Sequence, residues 1–277
     1  MLSVVTKSDL RNVVARFRKE GKKIGFVPTM GALHEGHLSL VDIAKQSADI
    51  VVVSIFVNPT QFAEGEDFDK YPRTIEDDKK KLQTKNVDIV YLPSKEEMYP
   101  QGFDIKISVG QIAKELEGVT RPHFFDGVAL VVNKLFMQVQ PDIAVFGQKD
   151  YQQLHVIRKL VAAFDIAVKV IGADIVREKN GLAMSSRNRY LSDEKRELAA
   201  NLYRIMNEVA NNIKKGSSFE KALYWGKEEL QKAGFTKVDY LEIRNPQTLL
   251  KTDSLPARLL AAVYLDEVRL IDNIQIV

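Results

Sequence analysis

Apolar positions over the first 170 residues switch between two spacings. Short, nearly continuous runs read as strands: Lys23-Ile24-Gly25-Phe26-Val27, Asp49 to Val57, Val87-Asp88-Ile89-Val90-Tyr91 and Ile143-Ala144-Val145-Phe146. The run from Asp49 to Val57 is almost wholly apolar, as in a strand buried on both faces of a parallel sheet. Residues 104–109 are expected to form a further strand, and residues 166–171 to be extended. Between these runs the spacing becomes three and four. Leu10, Val13, Val14 and Phe17 share a helix face behind a Thr6/Asp9 capping box. Leu38, Leu40, Val41, Ile43 and Ala44 give a helix over 38–48, and Thr74 with Asp77 caps one running to about residue 85. Val128, Val131, Val132, Leu135 and Phe136 mark a helix over 126–138, and residues 151–164 are helical as well. Strands alternating with helices imply a doubly wound α/β layer with a parallel sheet. Functional loops then lie beyond the carboxyl ends of the strands, after Val27, Val57 and Phe146.

Past residue 175 the pattern changes. Helices are expected over 192–214 and 218–233, then strands over 238–244, 258–264 and 268–274. Short connections between those strands favour antiparallel pairing. The chain thus divides into an α/β domain, 1–175, and a second, smaller α+β domain, 176–277.

Composition narrows the function. Forty basic and thirty-seven acidic residues leave a net charge of +3, which offers no argument for nucleic acid or an acidic membrane. No apolar run approaches the roughly 20 residues of a membrane span. There is no cysteine, which removes disulfides, thiolate metal sites and a cysteine nucleophile together. Residues 1–6 lead at once into a charged helix, without the pattern of a secretory leader.

The stretch Pro28-Thr29-Met30-Gly31-Ala32-Leu33-His34-Glu35-Gly36-His37 falls at a strand-to-helix crossing. Glycine there allows a tight turn and close approach of a ligand. The helix start directs N–H groups and a positive dipole end into the same space, which suits an anion. Three readings compete. Two histidines three apart could share a metal, although the zincin pattern places them four apart. They could be exposed side chains of a structural turn. Or the imidazoles could donate to the phosphates of a nucleotide as charge builds. In the smaller domain, Met184-Ser185-Ser186-Arg187 offers hydroxyls and a guanidinium suited to phosphate, though taken alone it reads better as a solvated approach to a helix. Lys149 adds a cation, and Asp150 could take a ribose hydroxyl or a magnesium ion. Gln61 and Gln153 are neutral amides able to read hydroxyls and carboxylates. Neither a defensible Ser-His-Asp order nor a Walker lysine loop is present. Donors without a nucleophile indicate substrates that react directly on ATP while the protein positions them.

These stretches, together with Asn58-Pro59-Thr60-Gln61-Phe62, Tyr71-Pro72-Arg73-Thr74, Phe146-Gly147-Gln148-Lys149-Asp150-Tyr151-Gln152-Gln153 and Met184-Ser185-Ser186-Arg187-Asn188, resemble the pantothenate synthetase, or pantoate–β-alanine ligase, family. The matches run in order over nearly the whole chain. His34-Glu35-Gly36-His37 alone would indicate only the wider nucleotidyltransferase superfamily. The resemblance implies a Rossmann-like N-terminal domain, a small C-terminal lid and a cytoplasmic homodimer. ATP is the co-substrate, with Mg2+ expected beside it. The implied reaction has two steps. Pantoate attacks the α-phosphorus of ATP and releases pyrophosphate; β-alanine then attacks the pantoyl-adenylate and releases AMP. By matching position, Met30, Gly31, Ala32, Leu33, His34, Glu35, Gly36 and His37 line the ATP, with His37 as proton donor and His34 and Lys149 acting beside it. Gly147, Gln148, Lys149, Asp150 and Val176 hold the nucleotide, and Met184, Ser185, Ser186 and Arg187 close on the triphosphate. Gln61 meets pantoate and β-alanine, and Gln153 meets pantoate.

One stretch departs from the family pattern. Arg121-Pro122-His123-Phe124-Phe125 places Phe124 where a histidine is usual. His123 could reorient toward the substrate in its place, but is rather expected to face solvent, the usual histidine being dispensable; Arg121 is expected to act as a charge toward anionic substrates. Two rival functions remain on sequence alone. A nucleotidyltransferase acting on a phosphate would need more lysine or arginine in its acceptor pocket. A non-catalytic nucleotide-binding regulator would be saturated by ATP and turn nothing over.

Overall fold

The computed structural model describes residues 1–63 and 65–277. It comprises two compact units. The first is Met1–Gln148 with Gln152–Asp174, and the second is Lys149–Tyr151 with Ile175–Val277.

In chain order the first part of the molecule contains β1 (Leu2–Val4), α1 (Lys7–Lys19), β2 (Ile24–Thr29), α2 (Glu35–Ser47), β3 (Ile50–Ile55), α3 (Ile75–Thr84) and β4 (Ile89–Tyr91). Two short helices follow, α4 (Lys95–Met98) and α5 (Glu117–Thr120), then α6 (Phe124–Val139), β5 (Ile143–Gly147), α7 (Tyr151–Ala163) and β6 (Lys169–Ala173). The six strands form one parallel sheet in the order β1-β4-β3-β2-β5-β6. The order reverses between β2 and β5, so the loops leaving those two strands flank the crevice where doubly wound sheets bind ligands.

The apolar run in β3 has a direct explanation. Ile50 and Val52 enter the core shared with Leu10, Val14, Phe125, Val128 and Phe136. Val51, Val53 and Ile55 enter the core on the other face, with Leu38, Val41 and Leu82. A strand covered on both sides has no polar face to show, and all six of its residues are buried.

The second unit continues with α8 (Asp193–Ala199), α9 (Asn201–Lys214), α10 (Phe219–Lys232), β7 (Lys237–Arg244), β8 (Ala257–Leu265) and β9 (Val268–Ile276). Its strands pair antiparallel in the order β7-β8-β9. Leu202, Ile205, Val209 and Ile213 of α9 pack with Leu259, Ala261 and Val263 of β8 in its own core.

Three expectations need correction, and one strand was not expected. Residues 104–109 carry no strand; Ile107 and Val109 pack on the core, but the Val109 N–H donates to Asp126 Oδ1 (2.8 Å) rather than to a ladder. The expected 192–214 helix is two helices meeting at Ala200, where the Asn201 side-chain amide donates to the Leu198 carbonyl (2.9 Å). Thr74 precedes α3 but does not cap it through its side chain; its hydroxyl donates to Asp78 (3.2 Å). The three-residue β1, with two of its residues exposed, was too short for its periodicity to reveal. Among the described residues, no helix is long and apolar enough to cross a membrane.

Candidate active site

The crossing from β2 to α2 is built from backbone outward. Gly31 has φ +84°, where side chains are strained, and a Cβ there would approach Ile55 Cγ2 to 3.0 Å and Asp78 Oδ2 to 3.2 Å. Ala32 follows at φ 50°. These two left-handed residues turn the Ala32 and Leu33 N–H groups inward, where Asp78 accepts both, at 2.9 Å and 2.8 Å. One turn farther along α3, Lys81 donates to the Leu33 carbonyl (2.6 Å). A fully buried carboxylate and a lysine on one helix face therefore clamp the loop by its peptide groups.

The clamp delivers the chain to His34, the N-cap of α2. The His34 carbonyl accepts from the N–H groups of His37 (2.8 Å) and Leu38 (3.1 Å), and the two imidazole centroids lie 4.1 Å apart. The His34 N–H donates to His37 Nδ1 (3.4 Å). With Nδ1 as acceptor, the neutral His37 ring carries its proton on Nε2. His37 is thus a donor fixed in tautomer at a helix N-terminus, where the first amides lack intrahelical partners and favour an anion.

The loop after β3 meets the same region. Asn58, only 1% exposed, is its hub. Its amide donates to Gln61 Oε1 (3.1 Å) and the Gly127 carbonyl (3.2 Å), while its own oxygen accepts from the Tyr99 phenol (2.8 Å) and Thr60 hydroxyl (3.0 Å). Burial raises the Tyr99 phenol above its ordinary pKa, with the Thr60 hydrogen bond opposing, so Tyr99 remains a donor. Gly127 is required for the approach: a Cβ there would lie 2.2 Å from the Thr60 carbonyl oxygen. Gln61 in turn donates to Met30 Sδ (3.2 Å), joining this loop to the histidine loop. Gln153 lies on α7, with no side-chain hydrogen bond among the described residues.

Phe124 explains the departure in the Arg121–Phe125 stretch. The Arg121 guanidinium stacks on its ring at 3.8 Å and binds Glu66 through two 2.6 Å hydrogen bonds. It also donates to the Gln61 carbonyl (3.1 Å). Arg121 is therefore committed to holding the Gln61 loop, and its charge is met by Glu66. His123 is exposed at the start of α6, as expected.

The loop after β5 divides between the units. Gln148 donates to the Gly172 carbonyl (3.3 Å) and Asp174 (3.0 Å) within the first. Lys149 and Asp150 belong to the second, with Nζ and Oδ2 3.9 Å apart. That unit also holds Val176, whose carbonyl accepts from the Met184 N–H (3.0 Å) and closes a hairpin. Ser185 then caps a 3-10 turn, Ser186–Tyr190, by accepting from the Arg187 N–H (3.3 Å). Asn188 ties the turn back to Glu178 (2.7 Å) and to the Ala183 carbonyl (3.1 Å).

The structure thus brings Met30, His34, His37 and Gln61 together in the first unit. Lys149, Asp150, Val176 and Met184–Arg187 all belong to the second unit. Sequence reasoning missed Asp78 and Lys81, whose only signal was an ordinary amphipathic helix, and Asn58 and Tyr99 as supports of Gln61. No group of three or more His, Asp or Glu able to hold a metal occurs among the described residues.

Comparison with known proteins shows which family this chain resembles along its length. Residues 3–275 match the family model for pantoate-beta-alanine ligase. A pantothenate synthetase of Rhodopseudomonas palustris is 53% identical over 271 residues, covering 96% of this chain and 95% of its own. The crystal structure of pantothenate synthetase from Thermus thermophilus superposes with a TM-score of 0.94 at 45% identity, covering 100% of this chain and 99% of its own. A pantoate-beta-alanine ligase from Francisella tularensis, crystallised with beta-gamma ATP and beta-alanine, gives a TM-score of 0.84 at 35% identity, covering 99% and 97%.

Proposed function

The chain belongs to the pantoate–β-alanine ligase family, and from that membership we propose how its residues divide the work. It is an ATP-dependent enzyme that forms pantothenate from pantoate and β-alanine. In the proposed route a pantoate carboxylate oxygen attacks the α-phosphorus of ATP. The bond to the β-phosphate bridging oxygen breaks and pyrophosphate leaves. The β-alanine amine then attacks the acyl carbon, the acyl–phosphate bond breaks, and AMP and one proton are released.

The observation that carries this reading is His37 at the first turn of α2, with its Nδ1 accepting from the His34 N–H. A donor held there stabilises charge as it grows on phosphate oxygens, without reorganising during the reaction. His34 and Lys149 share that role. Met30 to His37, Gly147 to Asp150, Val176 and Met184 to Arg187 bind ATP; Gln61 takes pantoate and β-alanine, and Gln153 pantoate. The Met30–Gln61 hydrogen bond supports this division, because it sets an uncharged amide beside the nucleotide loop. The role of residues 176–277 as a lid is part of the same proposal.

Mg2+ is proposed to arrive with the nucleotide. Magnesium keeps several waters and is commonly held by phosphates with one or two carboxylates. Asp150 is the carboxylate available beside Lys149. Bound there, the ion would neutralise phosphate charge. A homodimer located in the cytoplasm completes the proposal on the family likeness; light scattering of the purified chain and cell fractionation test these two points.

The test of the route is exchange of labelled pyrophosphate into ATP. Exchange should require pantoate and proceed without β-alanine. Exchange that waits for β-alanine would rule out the two-step order.

A further inference from the structure

We propose that Asp272 and Asn273, neighbours on β9, are positioning residues that hold the two nucleotide-directed segments of the second unit in register. This rests on the assignment of Lys149 and of Met184–Arg187 to the nucleotide.

Both side chains are polar and almost completely buried, at 3% and 2% exposure. Such groups are costly unless every hydrogen bond is made. Asn273 directs its amide to the Lys149 carbonyl (2.9 Å) and its oxygen to Arg258 Nε (2.7 Å). The Arg258 guanidinium lies 4.3 Å from the Tyr151 ring centroid, and the Tyr151 phenol donates to the Pro246 carbonyl (2.9 Å). Lys149–Tyr151 is therefore gripped at both ends, which leaves the Lys149 backbone little freedom.

Asp272 serves the other segment. Arg177 binds it with two hydrogen bonds, 2.6 Å and 2.9 Å, and donates to the Gly181 carbonyl (3.1 Å). The same guanidinium stacks on Tyr203 at 3.6 Å. Arg177 bridges to Ala183 across the hairpin, and Asn188 joins that hairpin to the Ser185–Asn188 turn. Asp272 also accepts from the Asn273 N–H (2.7 Å). Burial raises the Asp272 carboxyl pKa, while Arg177 and that N–H oppose the shift. Two consecutive residues thus connect, from one strand, to segments 124 and 95 residues earlier in the chain.

A purely structural role would lower stability and leave the two half-reactions equally affected. A positioning role would not. Asn273→Asp keeps an acceptor for Arg258 but loses the donor to Lys149. It should lower pantoate-dependent pyrophosphate exchange about tenfold, the scale of one lost hydrogen bond. The attack of β-alanine on supplied pantoyl-adenylate should stay within about twofold of wild type. Lys149→Ala combined with Asn273→Asp should be scarcely slower than Lys149→Ala alone, because coupled residues do not add. Asp272→Asn should show the same relation to Arg187→Ala. Additive losses, or equal loss in both half-reactions, overturn the proposal. Asn273→Ser is the milder replacement if Asn273→Asp does not fold; failure of both to fold assigns Asn273 to folding and also overturns it. The underlying assignment fails separately: Lys149→Ala and Arg187→Ala would then be fully active by themselves.

Discussion

The histidine loop and the Ser185–Arg187 turn are assigned to the same nucleotide, yet they are supported in opposite ways. The first is held by its peptide groups, clamped by Asp78 and Lys81 from a single helix turn. The second is held through side chains, from Asp272 to Arg177 and from Asn188 to Ala183 and Glu178. A backbone clamp fixes the helix start and therefore the field and amides an anion meets. A side-chain relay fixes where cationic and hydroxyl-bearing residues stand. On the proposed function, preorganised charge stabilisation falls to the former arrangement and placement of ligand-facing side chains to the latter.

Substitutions can break this contrast in graded steps. His37→Ala should cause the largest kinetic loss, about 10²–10³-fold in adenylate formation, the scale for removing one transition-state donor. Its thermal midpoint should stay near wild type; an unfolded or fully active variant would refute the role. Asp78→Ala should come next and differ in kind. Stranding the Ala32 and Leu33 N–H groups should cost about 2–4 kcal/mol of stability, readable by urea unfolding, with about a tenfold or greater loss of exchange rate. Unchanged exchange despite lost stability would reduce Asp78 to a folding residue. Arg187→Ala should raise the KM for ATP about tenfold, on the scale of a charge-assisted hydrogen bond. Pantoate binding without nucleotide should be nearly unchanged, and equal losses in both would remove the contrast. His123→Ala should be smallest, under about tenfold in kcat/KM for pantoate. A larger loss there would reinstate the histidine that Phe124 replaces.

The contrast also marks what the sequence could reveal. The β3 strand was legible because burial on both faces leaves a continuous apolar run. The histidine loop was legible because Gly31, Gly36 and two histidines lie within seven residues of one another. Asp78 was not, since a carboxylate inside a helix of ordinary amphipathic pattern says nothing about which peptide groups it will accept from 46 and 45 residues earlier. Residues 104–109 showed the converse error. Alternation of Ile105, Ile107 and Val109 with polar residues is the pattern of a strand, but it cannot indicate whether a partner strand is present. Arg121 was expected to act as a charge toward anionic substrates because a guanidinium suits them; its pairing with Glu66, 55 residues earlier, leaves no mark in the local sequence.

Gly127 has a consequence for inheritance. Any missense codon at this position adds at least a methyl group where the Thr60 carbonyl oxygen would be only 2.2 Å away. The mutant helix must therefore displace the Thr60 and Gln61 backbone directly. In a saturation library grown without supplied pantothenate, position 127 should tolerate as few alleles as His37, although its residue has no side chain with which to perform chemistry.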